Sequence, residues 1–232
     1  MRKLLLYADN EPLSAITHFL GMLLSIAGLV LLVVYAAKFA TPWHVVGFSI
    51  FGAALILLYL TSTWYHLVPR SFPRYKKVMQ RIDHAMIYVL IAGTYTPICL
   101  TTIRGPLGWT LFGIVWALAA GGIVWKSIGG MPEILSLIVY IAMGWLAVVA
   151  FYPLMHSLSW SGLAWLFGGG IAYTLGAVIY ALEDILEKRK NNNINSNKKL
   201  PKRKWFTLHD LWHIFVIAGS FCHFAFFFWH IL

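Results

Sequence analysis

Seven apolar runs, at residues 14–37, 43–65, 82–102, 107–125, 134–151, 160–182 and 208–232, occupy most of this 232-residue chain. Each approaches the ~20 residues that a helix needs to cross the hydrocarbon core of a bilayer. Backbone N–H and C=O groups in lipid must be satisfied within their own segment, so such runs become helices. Composition agrees: 60% of residues are hydrophobic and 11% charged, against about a quarter charged in soluble domains. The expectation is an all-α membrane protein, a seven-transmembrane-helix bundle. Little chain is left between the runs, so residues 1–232 read as a single domain. The basic, asparagine-rich stretch at about 183–207 reads as a flexible loop.

An odd number of spans puts the termini on opposite sides, and basic residues decide which is which. Sixteen of the eighteen Lys and Arg residues fall in the amino-terminal segment and in the connections after the second, fourth and sixth runs, leaving Lys38 and Arg104 for the other side. The positive-inside rule then places the amino terminus in the cytoplasm and the carboxyl terminus outside. The net charge of +10 is an orientation device and a surface for anionic lipid. It does not imply nucleic-acid binding, because the basic residues lack interleaved aromatics. Arg2-Lys3 is followed by Asp9, Asn10 and Glu11 rather than by a cleavage site, so a cleavable signal peptide is not expected. Cys99 and Cys222 are isolated within apolar runs and read as small buried hydrophobes. Gly168, Ala172 and Gly176 in the sixth run form a small-residue stripe suited to helix packing.

Ionisable side chains inside membrane segments are costly and are functional candidates by default. His66 ends the second run, while His209 and His213 open the seventh at i and i+4, on one helix face. The charge-derived topology brings both helix ends to the cytoplasmic side, together with Ser62, Asp83, His84 and His18. Three neutral imidazoles can fill three corners of a tetrahedral zinc site and leave the fourth for water. Asp83 in the same layer can hydrogen-bond a water or a ligand there. Each residue alone has a plainer account: paired histidines bonded to neighbouring helices, an interfacial His66, Asp83 favoured by the dipole of a first helical turn. Their coincidence in one layer is what points to metal. His44, His156 and His230 belong to the outer side, where interfacial polarity suffices. His223 lies ~15 Å further along the helix than His213, too far to share its ion. Asp210 reads as a helix-start acid.

Asn10-Glu11 with Thr17-His18, Ser62-x-x-x-His66, Asp83, and His209-x-x-x-His213 with His223 together resemble the hemolysin III group of bacterial membrane proteins. That group is related to the progestin and adiponectin receptor (PAQR) family. The resemblance spans nearly the whole chain. It implies a multi-pass protein of the bacterial plasma membrane with seven helices, and zinc held by His66, His209 and His213 with Asp83 near the zinc-bound water. It also implies ceramidase-like chemistry, which is associated with adiponectin receptors and the wider superfamily. The long amino-terminal region of the animal receptors has no counterpart here, so hormone signalling does not carry over.

Three functions follow as expectations. The first is a zinc-dependent hydrolase of a lipid amide or ester, with Asp83 as general base and then acid and Ser62 orienting water or the oxyanion. The second is a cytolytic or pore-related protein, against which stand seven resident spans without an export signal. The third is a sensor or regulator of membrane lipid state in which zinc is structural. A retinal pigment is excluded, since residues 208–232 contain no lysine for a Schiff base.

Overall fold

The computed structural model describes residues 11–193 and 206–232 and is helical throughout, with no strand among the described residues. The helices are α1 (Pro12–Phe39), α2 (Pro42–Leu67), α3 (Pro73–Leu100), α4 (Pro106–Ile128), α5 (Glu133–Ser157), α6 (Trp160–Asn193) and α7 (Leu208–Ile231). All but α3 are long and apolar enough to cross a membrane. The amino-terminal half of α3 holds Arg74, Lys76, Lys77, Arg81 and Asp83, which keeps its 28 residues out of that class.

The first four helices each begin with proline: Pro12, Pro42, Pro73 and Pro106. Proline suits the first helical position, because its fixed φ is already helical and its missing N–H would have had no intrahelical acceptor. This start signal corrects the expected third element, which hydropathy alone begins at residue 82. The basic stretch from Pro73 onward is helix, not connection, and Asp83 sits about three turns in. A first-turn dipole therefore does not explain Asp83. Likewise α6 runs on through Asn193, so the opening part of the segment read as a flexible loop at 183–207 is helical. Residues 194–205 lie outside the described residues.

Successive helices pack side by side from α1 to α4, α6 packs on α7, and α1 closes the bundle against α7. The shared core is aromatic, with Tyr59, Tyr88, Phe48, Phe51, Phe226 and Phe227 fully buried. Leu20, Leu24, Val30 and Phe39 of α1 are exposed, as expected of a face turned to lipid. Close approach is set by glycine: a Cβ at Gly93 of α3 would meet the Ala54 Cβ of α2 at 2.7 Å, and one at Gly176 of α6 would meet Trp212 and Phe215 of α7 at 2.9 Å. Gly168, expected to share that small-residue face, looks into open space instead. The contact face runs through Gly169 and Gly176, so of the expected stripe Gly176 lies in the interface and Gly168 gives way to its neighbour.

Helix α5 is broken. Residues Trp145–Ala150 tighten to a 3₁₀ helix between two α-helical parts. The Tyr95 hydroxyl of α3 serves the freed backbone, donating to the Gly144 carbonyl and accepting from the Ala147 N–H, both at 2.7 Å. Beside this break, α3, α5, α6 and α7 line most of an apolar cavity of about 140 Å³, with Leu90, Ile141, Phe167 and Val216 in its wall.

Candidate metal centre

His66 lies in the last turn of α2, and His209 and His213 lie in the first two turns of α7. The three rings meet with centroids 4.8–5.0 Å apart. Each offers a ligand atom within 4.8 Å of the others, a grouping that can hold a metal ion. His66 and His213 are fully buried, and His209 is partly so.

Local capping explains why α7 presents two of the three. Thr207 and Asp210 form a capping box: the Asp210 N–H donates to Thr207 Oγ1, and the Thr207 N–H and hydroxyl donate to Asp210 Oδ2. Asp210 thus has the helix-start role read from its position. It also accepts the Ser14 hydroxyl at 2.6 Å on Oδ1, tying α7 to α1. At the other helix end, the Lys76 ammonium of α3 donates to the Tyr65 and Val68 carbonyls, supplying the carboxyl terminus of α2 with partners beside His66.

Every ring of the triad is committed through Nδ1. His66 Nδ1 donates to the Glu11 carboxylate at 2.6 Å, and His209 Nδ1 to the Glu183 carboxylate at 3.2 Å. His213 Nδ1 lies 3.3 Å from the Ser14 carbonyl. A proton held on Nδ1 leaves the lone pair on Nε2, the tautomer in which outer carboxylates and carbonyls orient metal-binding histidines. His66 Nε2 is buried with no hydrogen-bond partner among the described residues. An unpartnered buried nitrogen costs about 1–3 kcal/mol, and a cation at the triad's centre removes that cost. The donor set, three neutral imidazoles, suits zinc chemistry.

Glu11 and Glu183 are the partners that residue-by-residue reading misses. Glu11 stood in the motif without a role, and Glu183 stood in the supposed loop. Arg70 donates to the second Glu11 oxygen at 3.1 Å. Burial pushes the Glu11 carboxyl up, but the hydrogen bond and charge of His66, with Lys76 and His209, outweigh it and hold the group well below the usual carboxylate range.

Ser62 and Asp83 line one polar pocket of about 30 Å³ together with His209 and His213, and the Ser62 side chain faces the Asp83 carboxyl. That pocket shares Ile87, Leu137, Tyr140 and Trp212 with the larger apolar cavity, so the two spaces adjoin. His18 stacks on His213 at 3.5 Å between ring centroids, with both its ring nitrogens buried and without a partner among the described residues. His223 lines the apolar cavity away from the triad and has Leu166 O 3.2 Å from its Nε2. His44, His156 and His230 stand at the opposite helix ends, as read from the sequence.

The family model for haemolysin-III related proteins matches residues 6–224. The chain belongs to the haemolysin-III related family. It is 44% identical over 212 residues to the hemolysin-3 homolog of Bacillus subtilis, covering 91% of this chain and 89% of that protein. Identity to hemolysin-3 of Bacillus cereus is 41% over 221 residues, covering 95% and 91%. A distant relation reaches the human monocyte to macrophage differentiation factor, 24% identical over 186 residues, covering 78% and 69%; it bears out the wider PAQR relationship. Membership and the apolar helices together make this a multi-pass membrane protein, bacterial by homology.

Proposed function

We propose that this haemolysin-III related protein is a zinc-dependent hydrolase of a lipid amide or ester in the bacterial plasma membrane. The observation that carries the reading is the triad's wiring, with each Nδ1 engaged and the buried His66 Nε2 left without a partner among the described residues. His66, His209 and His213 would hold the zinc, which when bound would supply a water of lowered pKa, about 7, and a Lewis acid for a carbonyl. Asp83, in the wall of the same pocket, is placed to take a proton from a water there and later to return it to the leaving group. Ser62 orients the water or donates to the developing oxyanion. The adjoining apolar cavity suits the hydrocarbon part of a membrane lipid. Membrane lipid is thus the partner, and nucleic acid is not.

The reading includes the topology. All seven helices, α3 among them, form one domain and span the membrane, with the amino terminus cytoplasmic and the carboxyl terminus outside. Cysteine labelling should place residues 198–204 in the cytoplasm; labelling them from the external face contradicts this orientation.

The test of catalysis is Asp83→Asn, which preserves size and most hydrogen bonding while removing the base. Zinc content should stay near wild type while single-turnover hydrolysis of a ceramide or related acyl-amide falls ~10²–10⁴-fold. A second reading, cytolysis, is favoured by the name of the Bacillus cereus relative, hemolysin-3. Lysis of erythrocytes by Asp83→Asn protein at the wild-type rate, without metal-dependent turnover in the wild type, selects it. The same lack of turnover without lysis leaves zinc the structural part of a lipid-state sensor.

A further inference from the structure

The polar pocket has a second wall that the triad does not use. His84 of α3 faces it together with Glu133 of α5 and Tyr180 of α6. His84 Nδ1 lies 3.3 Å from Glu133 Oε2, which also accepts the Lys126 ammonium at 2.9 Å. Lys126 of α4 donates as well to Ser136 Oγ at 3.1 Å, so two hydrogen bonds fix it from the α5 side. The Tyr140 hydroxyl donates to the His84 carbonyl at 2.8 Å and holds the backbone of α3 at this point.

Exposure grades along this line. The His84 side chain is 10% exposed and that of Lys126 5%, whereas that of Glu133 is 35% exposed. His84 and Glu133 both line the pocket that holds Asp83, and Glu133, the most exposed of the three, stands at the start of α5, the helix end that the proposed topology turns to the cytoplasm. A volume of about 30 Å³ accommodates roughly two waters, at about 10–15 Å³ each on this measure. With Nδ1 turned to Glu133, Nε2 is the ring nitrogen left for the pocket. Histidine is the side chain whose ordinary pKa suits it to take and release protons near neutrality.

We infer that His84 and Glu133 form the proton path between the metal pocket and bulk water. A proton from a pocket water passes to His84 Nε2 as the Nδ1 proton passes to Glu133 Oε2 and on to solvent; ring rotation then turns the Nε2–H to Glu133 and the bare Nδ1 to the pocket, so the next transfer runs with the two nitrogens exchanged. One proton enters and one leaves, and no co-reactant is needed. Lys126 keeps the Glu133 carboxylate in place and ready to give its proton up. The other titratable groups facing His84 are Asp83 on its own helix, Tyr140 on α5 and Tyr180 on α6, with His209 of α7 across the pocket. The inference rests on the metal reading above and does not depend on hydrolysis. His84 is a proton-transfer residue in this scheme, not a ligand.

The experiment uses detergent-solubilised, full-length protein loaded with Co(II) in place of zinc, whose visible bands report protonation at the metal pocket after a pH jump. His84→Asn keeps a polar side chain beside Glu133 but cannot cycle a proton. Cobalt stoichiometry should match wild type, the bands should relax about 10²-fold more slowly, and excess imidazole should restore much of the rate. Equal relaxation in wild type and His84→Asn overturns the path while leaving the metal site standing. A slow variant that imidazole fails to rescue also overturns it, because a cluster that merely ties α3, α4 and α5 together gives that result. Absence of cobalt binding by the wild type removes the metal reading and this inference with it. Glu133→Gln provides a second arm, slower than wild type and rescued by the same buffer.

Discussion

Two sets of histidines, at opposite ends of the bundle, show what makes a residue of one type a binding group in one place and a helix-end polar group in another. His44 bonds Thr41, three residues away, and His156 bonds the Tyr152 carbonyl, four residues away. His230 lies 3.3 Å from Ser159 Oγ. All three contacts are exposed, so water competes for each ring nitrogen and none is left stranded. In the triad, the Nδ1 partners of His66, His209 and His213 are 55, 26 and 199 residues distant. Those contacts exist only once α1, α2, α6 and α7 have come together. Long-range acceptors fix the tautomer, burial removes water, and convergence of the rings leaves the His66 Nε2 lone pair with no partner among the described residues. Position at a helix end does not distinguish the sets; wiring does.

The comparison breaks most visibly through the ligands themselves. The double variant His209→Ala, His213→Ala should lose bound metal altogether in elemental analysis of purified protein. The variant lacking His44, His156 and His230 should keep about one ion per chain, the complement of a single three-histidine site. Equal metal in both proteins erases the distinction. A smaller effect is expected from the outer partners. Glu11→Gln and Glu183→Gln leave the rings in place but weaken their orientation, and competitive chelator titration should show affinity lower by ~10–100-fold. Affinity unchanged in both variants would mean that the wiring is incidental to binding.

Much of this was legible in the chain. The i, i+4 spacing of His209 and His213, combined with a topology read from Lys and Arg alone, brings them to the same layer as His66, and the structure joins all three. Glu11 and Glu183 were not legible, because nothing local marks a carboxylate whose partner is tens of residues away. The same holds for His84, whose role was left open until Glu133 and Lys126 came into view from α5 and α4. Hydropathy also misjudged the extents of α3 and α6, since it reports the part of a helix suited to lipid and not the helix itself. Pro73 was the available start signal for α3. Gly168 erred by one position, because a four-residue stripe names a face without naming the neighbour it meets.

The most direct test of the metal centre is X-ray absorption at the zinc edge of the purified, full-length protein. The account predicts a first shell of about four light atoms, three of them imidazole nitrogens at about 2.0–2.1 Å, lost in the double variant His209→Ala, His213→Ala. Zinc with sulfur in its first shell, or an identical spectrum at full occupancy in that variant, contradicts it.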